Sequence, residues 1–367
     1  MKNQWTIGKK LIAAFSGVAV ITLAIGIIGY FGAVKSEHHI DEIGVVRMPS
    51  VEGLLIIEAE SEHISYLLQS LANAEASFER RQEHYSALQD SRKTYEEAWN
   101  IYEPLPQTAE EESVWKQFVP TWNAWREANN EYIELNKKYD ELGIQNPDEL
   151  LSHVQLFRGD LYALEKNVLN LIVNGEDFTG GEDHTATPFG QWLDTFSSRN
   201  QDVERLREDM QGANERFHAA VAPIRQAVRN GHQDEAVRIY TDRMDPAAAE
   251  IMELVYALID VIGEAEALHE EAGDFLMETV MPRQYEANGL LDQLVQINSE
   301  VADANVEQAH SEAGFIELFT LAAMIVGVLL ALGLGILITR SINSALKRII
   351  DGLTEGADQV ASASGQV

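Results

Sequence analysis

Two long apolar stretches without any charged residue lie near the two ends of the chain, at residues 11–34 and 318–339. About 20 apolar residues in a helix are enough to cross a bilayer core of about 30 Å. The pattern therefore predicts two transmembrane helices. A cleaved signal peptide is the alternative for the first stretch, but its apolar region would be shorter, about 7–15 residues. We therefore expect a retained anchor.

Basic residues precede the first apolar stretch and follow the second: Lys9, Lys10, Arg340, Lys347 and Arg348. Because positive flanks of transmembrane helices stay in the cytoplasm, residues 1–10 and 340–367 are expected inside the cell. Residues 35–317 are then expected in the periplasm or outside the cell. The prediction is a protein of the inner membrane that crosses it twice.

The segment between the apolar stretches is patterned for helices throughout. Apolar residues recur at alternating spacings of three and four, as in the series Leu54, Ile57, Ser61, Ile64, Leu68 and Leu71. This is the spacing of a helix with one buried face. Helices are predicted over residues 35–73, 78–102, 110–142, 150–173, 202–230 and 235–243, and from 247 into the second apolar stretch. Kinks are predicted at Pro49, Gly263, Gly273, Pro282 and Gly289.

Helices of this length must bury one face against each other. The predicted fold is all-α, with two transmembrane helices flanking an elongated extracytoplasmic helical bundle that contains an inserted second helical module. The expected divisions are a cytoplasmic N-terminus (1–10), transmembrane helix 1 (11–34), the first part of a membrane-proximal bundle (35–149), the second module (150–260), the return helix of the bundle (261–317), transmembrane helix 2 (318–339) and a cytoplasmic linker (340–367).

The charge of the chain narrows the functions open to it. It has 59 acidic and 27 basic residues and a net charge of −32, which excludes a nucleic-acid partner because phosphate binding needs a basic surface. An acidic surface favours cations or neutral solutes as ligands. The sequence has no cysteine, so disulfides and thiolate ligands are excluded. It also has no HExxH, GxSxG or P-loop motif, and we expect no enzymatic activity.

One stretch, residues 180–193, interrupts the helical pattern and is the part most like a binding site. It reads Gly-Gly-Glu-Asp-His-Thr-Ala-Thr-Pro-Phe-Gly-Gln-Trp-Leu. The two glycines that open it allow backbone conformations closed to other residues. The adjacent Asp183 and His184 place two polar side chains side by side. Gly190 lies between two aromatic residues and predicts a close turn that holds both rings.

Residues 165–249 contain three features of a known sensor module. They are Thr187-Pro-Phe-Gly190-Gln-Trp192, then Glu215-Arg-Phe-His218, and a short last helix within residues 230–240. The segment resembles the chemoreceptor zinc-binding (CZB) domain, which has a Cys three residues before a Gly-x-Trp and two His three residues apart. In this chain Thr187 stands at the Cys position and Glu215 at the first of these His positions. Glu165 stands where the family has a His on its first helix.

The CZB resemblance implies a zinc site of three His and one Cys, of which this sequence keeps His218, with His184 as an added imidazole. Three interpretations remain open: a divalent metal held by His184, His218 and Glu215, a small-molecule site, and a polar remnant without a ligand. A Thr hydroxyl group is a poor zinc ligand, and no cofactor is certain. The candidate ligand-binding residues are Glu165, Asp183, His184, Thr187, Trp192, Glu215 and His218.

The two ends of the chain carry further resemblances. The segment Arg47-Met-Pro49-Ser-Val-Glu-Gly-Leu-Leu55 lies within residues 1–145, which together with residues 265–340 resemble the four-helix-bundle sensor of methyl-accepting chemotaxis proteins. Residues 340–367 resemble the start of a HAMP-like linker that runs into a receptor coiled coil. The resemblance implies a transmembrane chemoreceptor. Such a protein senses an extracytoplasmic signal and passes it through the second transmembrane helix to a cytoplasmic signalling coiled coil.

Two alternatives to a chemoreceptor stay open, the sensory half of a histidine kinase or cyclase and a structural membrane-anchored bundle. The chemoreceptor resemblance also implies partners. We expect a homodimer in the inner membrane, with a chemotaxis kinase and a coupling protein bound to a receptor part that follows residue 367. The chain is thus expected to be a truncated receptor.

Overall fold

The computed structural model describes residues 6–364, which fold as helices and connecting loops with no strand among them. The predicted all-α class is confirmed. The eleven α-helices of this described part are α1 (Ile7–Asp41), α2 (Met48–Leu71), α3 (Phe78–Tyr102), α4 (Ala109–Leu142), α5 (Pro147–Asn174), α6 (Pro188–Thr195), α7 (Gln201–Ala219), α8 (Val221–Arg229), α9 (Gln233–Ile239), α10 (Asp245–Phe275) and α11 (Met281–Ser364).

Local sequence signals set the ends of the bundle helices. The Ser77 side chain accepts a hydrogen bond from the backbone of Arg80 at the start of α3. Thr108 and Glu111 form a reciprocal capping box at the start of α4, which satisfies two backbone N–H groups that the first turn leaves free. Gly143 ends α4 in the left-handed region, with φ of 68°. These signals explain why α3 begins, and why α4 begins and ends, within one residue of where the apolar spacing predicts.

Three short π-helical segments interrupt the long helices, and each ends two residues before a proline. They are Glu42–Arg47, Tyr240–Met244 and Leu276–Val280, before Pro49, Pro246 and Pro282. A proline has no N–H for the carbonyl group four residues earlier, and its ring crowds that carbonyl group. In all three cases this carbonyl group lies inside the π-helical segment, where the wider turn makes room.

The kink predictions therefore hold for the prolines and fail for the glycines. The helix departs from α geometry before Pro49 and Pro282, whereas Gly263, Gly273 and Gly289 lie within regular α-helix. Glycine weakens a helix but keeps its N–H group, so the hydrogen-bond ladder continues through it.

Two further predictions need correction. The single helix expected over residues 202–230 is broken at Ala220 into α7 and α8. Pro223 has no N–H to offer the carbonyl group of Ala219, which is the last residue of α7, so the break falls there. The short helix expected over 235–243 is α9, which passes through a π-helical segment directly into α10.

The chain divides into two compact units. The first consists of the residues up to 52, residues 104–106 and those from 295 onward. Among residues 6–364, two helices are long and apolar enough to cross a membrane, the one ending in α2 and the one ending in α11. Only 6% and 0% of their most apolar windows are buried, so these segments do not resemble the core helices of a soluble domain.

Polar side chains join α1 to α11 within the first unit. The ammonium group of Lys35 lies 3.0 Å from the Glu312 carboxylate, and the buried His39 Nδ1 lies 3.1 Å from the Asn305 Oδ1. The buried Arg47 donates to the carbonyl oxygen of Pro106 over 3.0 Å. A buried charge is costly unless it is paired. These contacts give the buried side chains of His39 and Arg47 polar partners.

The second unit, residues 53–103 and 107–294, begins with a bundle formed by α2, α3, α4 and the first turns of α11. Its core is rich in aromatic rings from α3 and α4. Polar contacts tie the helices together: the Tyr132 hydroxyl group donates to the Leu68 carbonyl group over 3.0 Å, and Ser61 donates to Asn288 over 2.8 Å. The buried Arg81 donates to Asn136 over 2.8 Å. These contacts satisfy buried polar groups of the bundle, whereas the indole N–H groups of Trp122 and Trp125 have no hydrogen-bond partner.

The remaining helices of the second unit, α5 to α9, pack with α10 around one continuous apolar core that extends from Tyr139 to Ala265. Helix α10 lies against α7, α5 and α4. It therefore belongs both to this core and to the neighbouring bundle. The connection between α5 and α7 contains residues 180–193, which places the predicted site at the edge of this core.

Candidate functional site

Residues 180–193 contain a single 3₁₀ turn, His184–Ala186, followed by helix α6. The expected close turn is therefore the start of a helix. Thr187 caps this helix: its Oγ1 accepts from the Gly190 backbone N–H over 3.0 Å and donates to the His184 carbonyl oxygen over 3.0 Å. A capping hydroxyl group of this kind satisfies a backbone N–H that a helix start leaves free. Thr187, which stands at the Cys position of the CZB domain, thus has a structural role as a helix cap.

Gly190 is required here by a close backbone approach. A Cβ atom at this position would lie 1.8 Å from the carbonyl oxygen of His184, so no other residue fits without moving the turn. The neighbouring rings pack as a cluster: Phe189 is buried with its centroid 5.0 Å from that of Phe157, and the half-buried Trp192 stacks on Phe196 at 4.6 Å. The Phe-Gly-x-Trp pattern therefore fixes packing between α5 and α6.

His218, on α7, holds the glycine-rich part of the stretch. Its imidazole is 4% exposed, and Nδ1 lies 2.8 Å from the carbonyl oxygen of Gly181. A carbonyl oxygen only accepts, so Nδ1 carries the proton. Burial lowers the pKa of His218, and the nearby His184 lowers it too, while the Gly181 carbonyl group and Asp183 oppose the shift. The imidazole is therefore neutral near pH 7.

Arg225, on α8, organises the same stretch and was not among the predicted residues. Its guanidinium donates to the carbonyl oxygens of Phe178 and Gly180 over 3.0 and 2.9 Å. It pairs with the carboxylates of Asp177 and Glu182 and lies 4.6 Å from the centre of the Phe178 ring. The sequence holds one signal for it: Arg225 takes a core-facing position beside the buried Ile224.

The three predicted acidic residues have different surroundings. Glu165 accepts a hydrogen bond from the Tyr240 hydroxyl group over 2.8 Å, and burial together with this bond raises the pKa of Tyr240. Asp183 is exposed and accepts from the backbone and hydroxyl group of Thr185, and these bonds lower the pKa of its carboxyl group. Glu215 is exposed on α7. The structure thus gathers Asp183, His184, Thr187 and His218 around one turn. It places Trp192 in the ring cluster with Phe157 and Phe196 and leaves out Glu165 and Glu215.

The predicted metal ligands His184, His218 and Glu215 are not assembled as a site. Within residues 6–364, no three His, Asp or Glu side chains are close enough to share a metal ion. Glu215 is exposed while His218 is buried and uses one ring nitrogen on a backbone carbonyl group. The arrangement is suited to holding the loop in one conformation.

A cleft of about 620 Å³ opens beside this region, where the loops after α2, α4 and α6 meet. Its rim carries the carboxylates of Glu75, Glu79 and Glu149 and the guanidinium of Arg199. Arg199 pairs with Glu79 and lies 4.5 Å from the centre of the Phe78 ring. The polar groups of the rim are thus partly paired with each other.

A comparison with protein families places the first part of the chain. Residues 4–143 match the family described as a four helix bundle sensory module for signal transduction. No curated protein and no solved structure matches the chain. The matched residues end with α4, so the predicted resemblance to a four-helix-bundle sensor is confirmed over this part. The match does not reach residues 150–260, where the resemblance to the zinc-binding domain stays a prediction.

The family match indicates the general function of residues 4–143. A four-helix bundle of this family serves sensing in signal transduction, and the helices that begin and end the chain include two segments long and apolar enough to enter a membrane. Sensing for signal transduction is therefore the general role of this part of the chain.

Proposed function

We propose that the chain is the sensing part of a transmembrane chemoreceptor. In this proposal residues 11–34 and 318–339 cross the inner membrane, and residues 35–317 face the periplasm or the exterior. The match of residues 4–143 to the sensory module carries the proposal. The exposed apolar surfaces of the two candidate membrane helices and the basic residues that flank them support the orientation.

Helix α11 offers the route for the signal. It runs without a break from Met281 to Ser364, so one helix contains bundle residues, the second apolar stretch and the beginning of the cytoplasmic linker. Displacement of a stiff helix along or about its axis moves both of its ends. A ligand changes this position if it binds two bundle arrangements with different affinity.

The proposed partners follow from the same role. The receptor is a homodimer whose output reaches a chemotaxis kinase and a coupling protein through a cytoplasmic coiled coil. The chain itself has no catalytic activity. Because the family description names signal transduction and not chemotaxis, the sensory half of a histidine kinase or cyclase is the alternative.

A hybrid receptor tests the proposal. Residues 1–340 are joined to the cytoplasmic part of a chemoreceptor with known kinase output, and kinase activity is measured in cells exposed to extracts and small metabolites. We expect kinase activity to change with at least one external stimulus. A matched hybrid that lacks residues 53–294 should give constant output. Equal output from both hybrids under every stimulus would rule out the sensing role.

A further inference from the structure

A groove of about 300 Å³ lies between α3 and α4 in the middle of the sensory bundle. The rings of Trp99 and Trp122 form its walls, with centroids 6.2 Å apart. Trp122 is 2% exposed, and its indole N–H has no hydrogen-bond partner. The amides of Asn100 and Asn123 also line the groove. Aromatic walls with a few polar groups are typical of small-molecule sites.

Two arginines interact with the hydroxyl group of Tyr95, which lines this groove. Arg126 on α4 lines the groove and lies near the buried Tyr95 hydroxyl group, and Arg92 on α3 interacts with the same hydroxyl group. Arg92 is half-buried, and its Nη2 is buried without a hydrogen-bond partner. Burial lowers the pKa of Arg92, and the positive charge of Arg126 lowers that pKa further. The two guanidinium groups are thus close enough for their charges to repel each other.

Neither arginine forms an ion pair with a carboxylate in the described residues 6–364, although the chain has 59 acidic and 27 basic residues. Glu96 is the acid beside them: it lines the groove and interacts electrostatically with Arg92 and Tyr95. Arg92, Arg126 and Glu96 together leave one net positive charge at this place. Two like charges at close range are unfavourable unless an anion lies between them.

We propose that this groove binds a small organic anion whose carboxylate pairs with Arg126, beside Arg92, and whose flat apolar body packs on Trp99. Arginine binds a carboxylate through two parallel N–H bonds, and an aromatic wall stabilises a flat ring by stacking. The acidic field of the whole chain repels anions at a distance, so a local pair of arginines is what makes binding possible. This ligand class differs from the cations and neutral solutes that the net charge favours.

The inference names the class of ligand that the proposed sensor detects. Only the claim that this ligand is the sensed signal rests on the proposed function. Binding itself is tested without any signalling output. Benzoate, the neutral benzamide and indole-3-acetate are titrated into the full chain in lipid nanodiscs, with tryptophan fluorescence and calorimetry as readouts. We expect saturable binding of benzoate or indole-3-acetate and at least tenfold weaker binding of benzamide.

Variants locate the site. Arg126→Gln should weaken binding of the carboxylate at least tenfold, and Arg126→Lys should weaken it less because the charge remains. Trp99→Leu should reduce the affinity for both aromatic anions. Arg80→Gln is the matched control, since Arg80 lies exposed on α3 and pairs with Glu83, and it should bind as the unchanged chain does. Far-UV circular dichroism confirms that each variant is folded.

Two results would overturn the inference. One is the absence of saturable binding of both anions up to about 10 mM, the range of very weak complexes. The other is equal binding by Arg126→Gln and Arg80→Gln. A hybrid receptor that still answers external stimuli would in either case leave the sensing role intact and refute only the ligand class. Binding of the anions without any output from the hybrid receptor would support the ligand class and refute the sensing role.

Discussion

The Nδ1 atom of His218 lies 2.8 Å from the carbonyl oxygen of Gly181, across 37 residues of sequence. Burial lowers the pKa of His218 and outweighs this contact, which by itself favours the protonated imidazole. In the unfolded chain a histidine has a pKa of about 6.5. Below that pH the unfolded state binds more protons than the folded state, so stability falls as the pH drops toward the folded-state pKa of His218.

The first prediction is therefore a pH-dependent contribution from His218. The unfolding midpoint in urea should fall between pH 7.5 and 5.5, and His218→Gln should remove part of that fall while costing about 1 kcal/mol at pH 7.5. His232→Gln, at an exposed histidine, is the control and should keep the full pH dependence. An identical pH profile for His218→Gln and the unchanged chain would contradict a pKa of His218 lowered by burial.

The second prediction concerns the close approach at Gly190. Gly190→Ala places a Cβ atom where the His184 carbonyl oxygen lies, and we expect a loss of about 2–4 kcal/mol in the free energy of unfolding. Gly159→Ala is the control, because a Cβ atom there meets nothing within 4 Å and alanine favours a helix by about 1 kcal/mol. Urea unfolding followed by circular dichroism measures both. A neutral Gly190→Ala would show that the turn and α6 do not pack as described.

The third prediction separates the capping role of Thr187 from a ligand role. Thr187→Ala should cost about 1 kcal/mol, and Thr187→Ser should cost clearly less because a serine hydroxyl group caps a helix equally well. Thermal unfolding measures the difference. If the alanine and serine variants were equally destabilised, the lost methyl group would be responsible and the capping role would be refuted.

The fourth prediction tests Arg225 as the anchor of the loop before α6. Arg225→Gln should cost about 1.5–3 kcal/mol, because it removes the hydrogen bonds that the buried, charged guanidinium donates to the carbonyl oxygens of Phe178 and Gly180. The loop should also become sensitive to proteolysis. Arg229→Gln removes an exposed partner of the same Asp177 carboxylate and should cost less than about 1 kcal/mol. Comparable losses in the two variants would show that burial of Arg225 does not matter.

The fifth prediction uses the absence of cysteine in the chain. Single substitutions Glu134→Cys and Glu355→Cys introduce one thiol each, at exposed positions on α4 and α11. A membrane-impermeant maleimide added to intact spheroplasts should label the first variant and not the second. Permeabilised spheroplasts should give labelling of both. Labelling of Glu355→Cys alone in intact spheroplasts would invert the proposed orientation.

Much of the helical framework could be predicted from the sequence, for physical reasons. The apolar spacing and the caps at Ser77 and Thr108 act within one or two turns, so α3 and α4 can be located from neighbouring residues alone. The break at Ala220 was missed because the apolar spacing continues through it, although Pro223 is its cause. Helix α6 was missed because Pro188 and Gly190 resemble loop residues, although Thr187 followed by proline is a helix start.

The contacts of the candidate site were less predictable, because they join residues far apart in sequence. His218 was named for its chemistry, but its partner is a backbone carbonyl group, which leaves no mark in the sequence. Arg225 was missed because its partners lie in another loop. Arg92 and Arg126 belong to different helices, and only the packing of α3 on α4 places them together. The spacing of residues within one helix cannot predict such pairs.

The π-helical segment Leu276–Val280 affects how the last helix must be aligned and engineered. A π turn accommodates one residue more than an α turn, and one residue corresponds to about 100° of rotation around a helix axis. A single heptad frame therefore cannot be drawn through residues 247–300: the frame after Val280 is out of phase with the frame before Phe275. Deleting one residue from this segment would restore regular α-helical periodicity. It would also rotate every later side chain of α11 by about 100° around the helix axis.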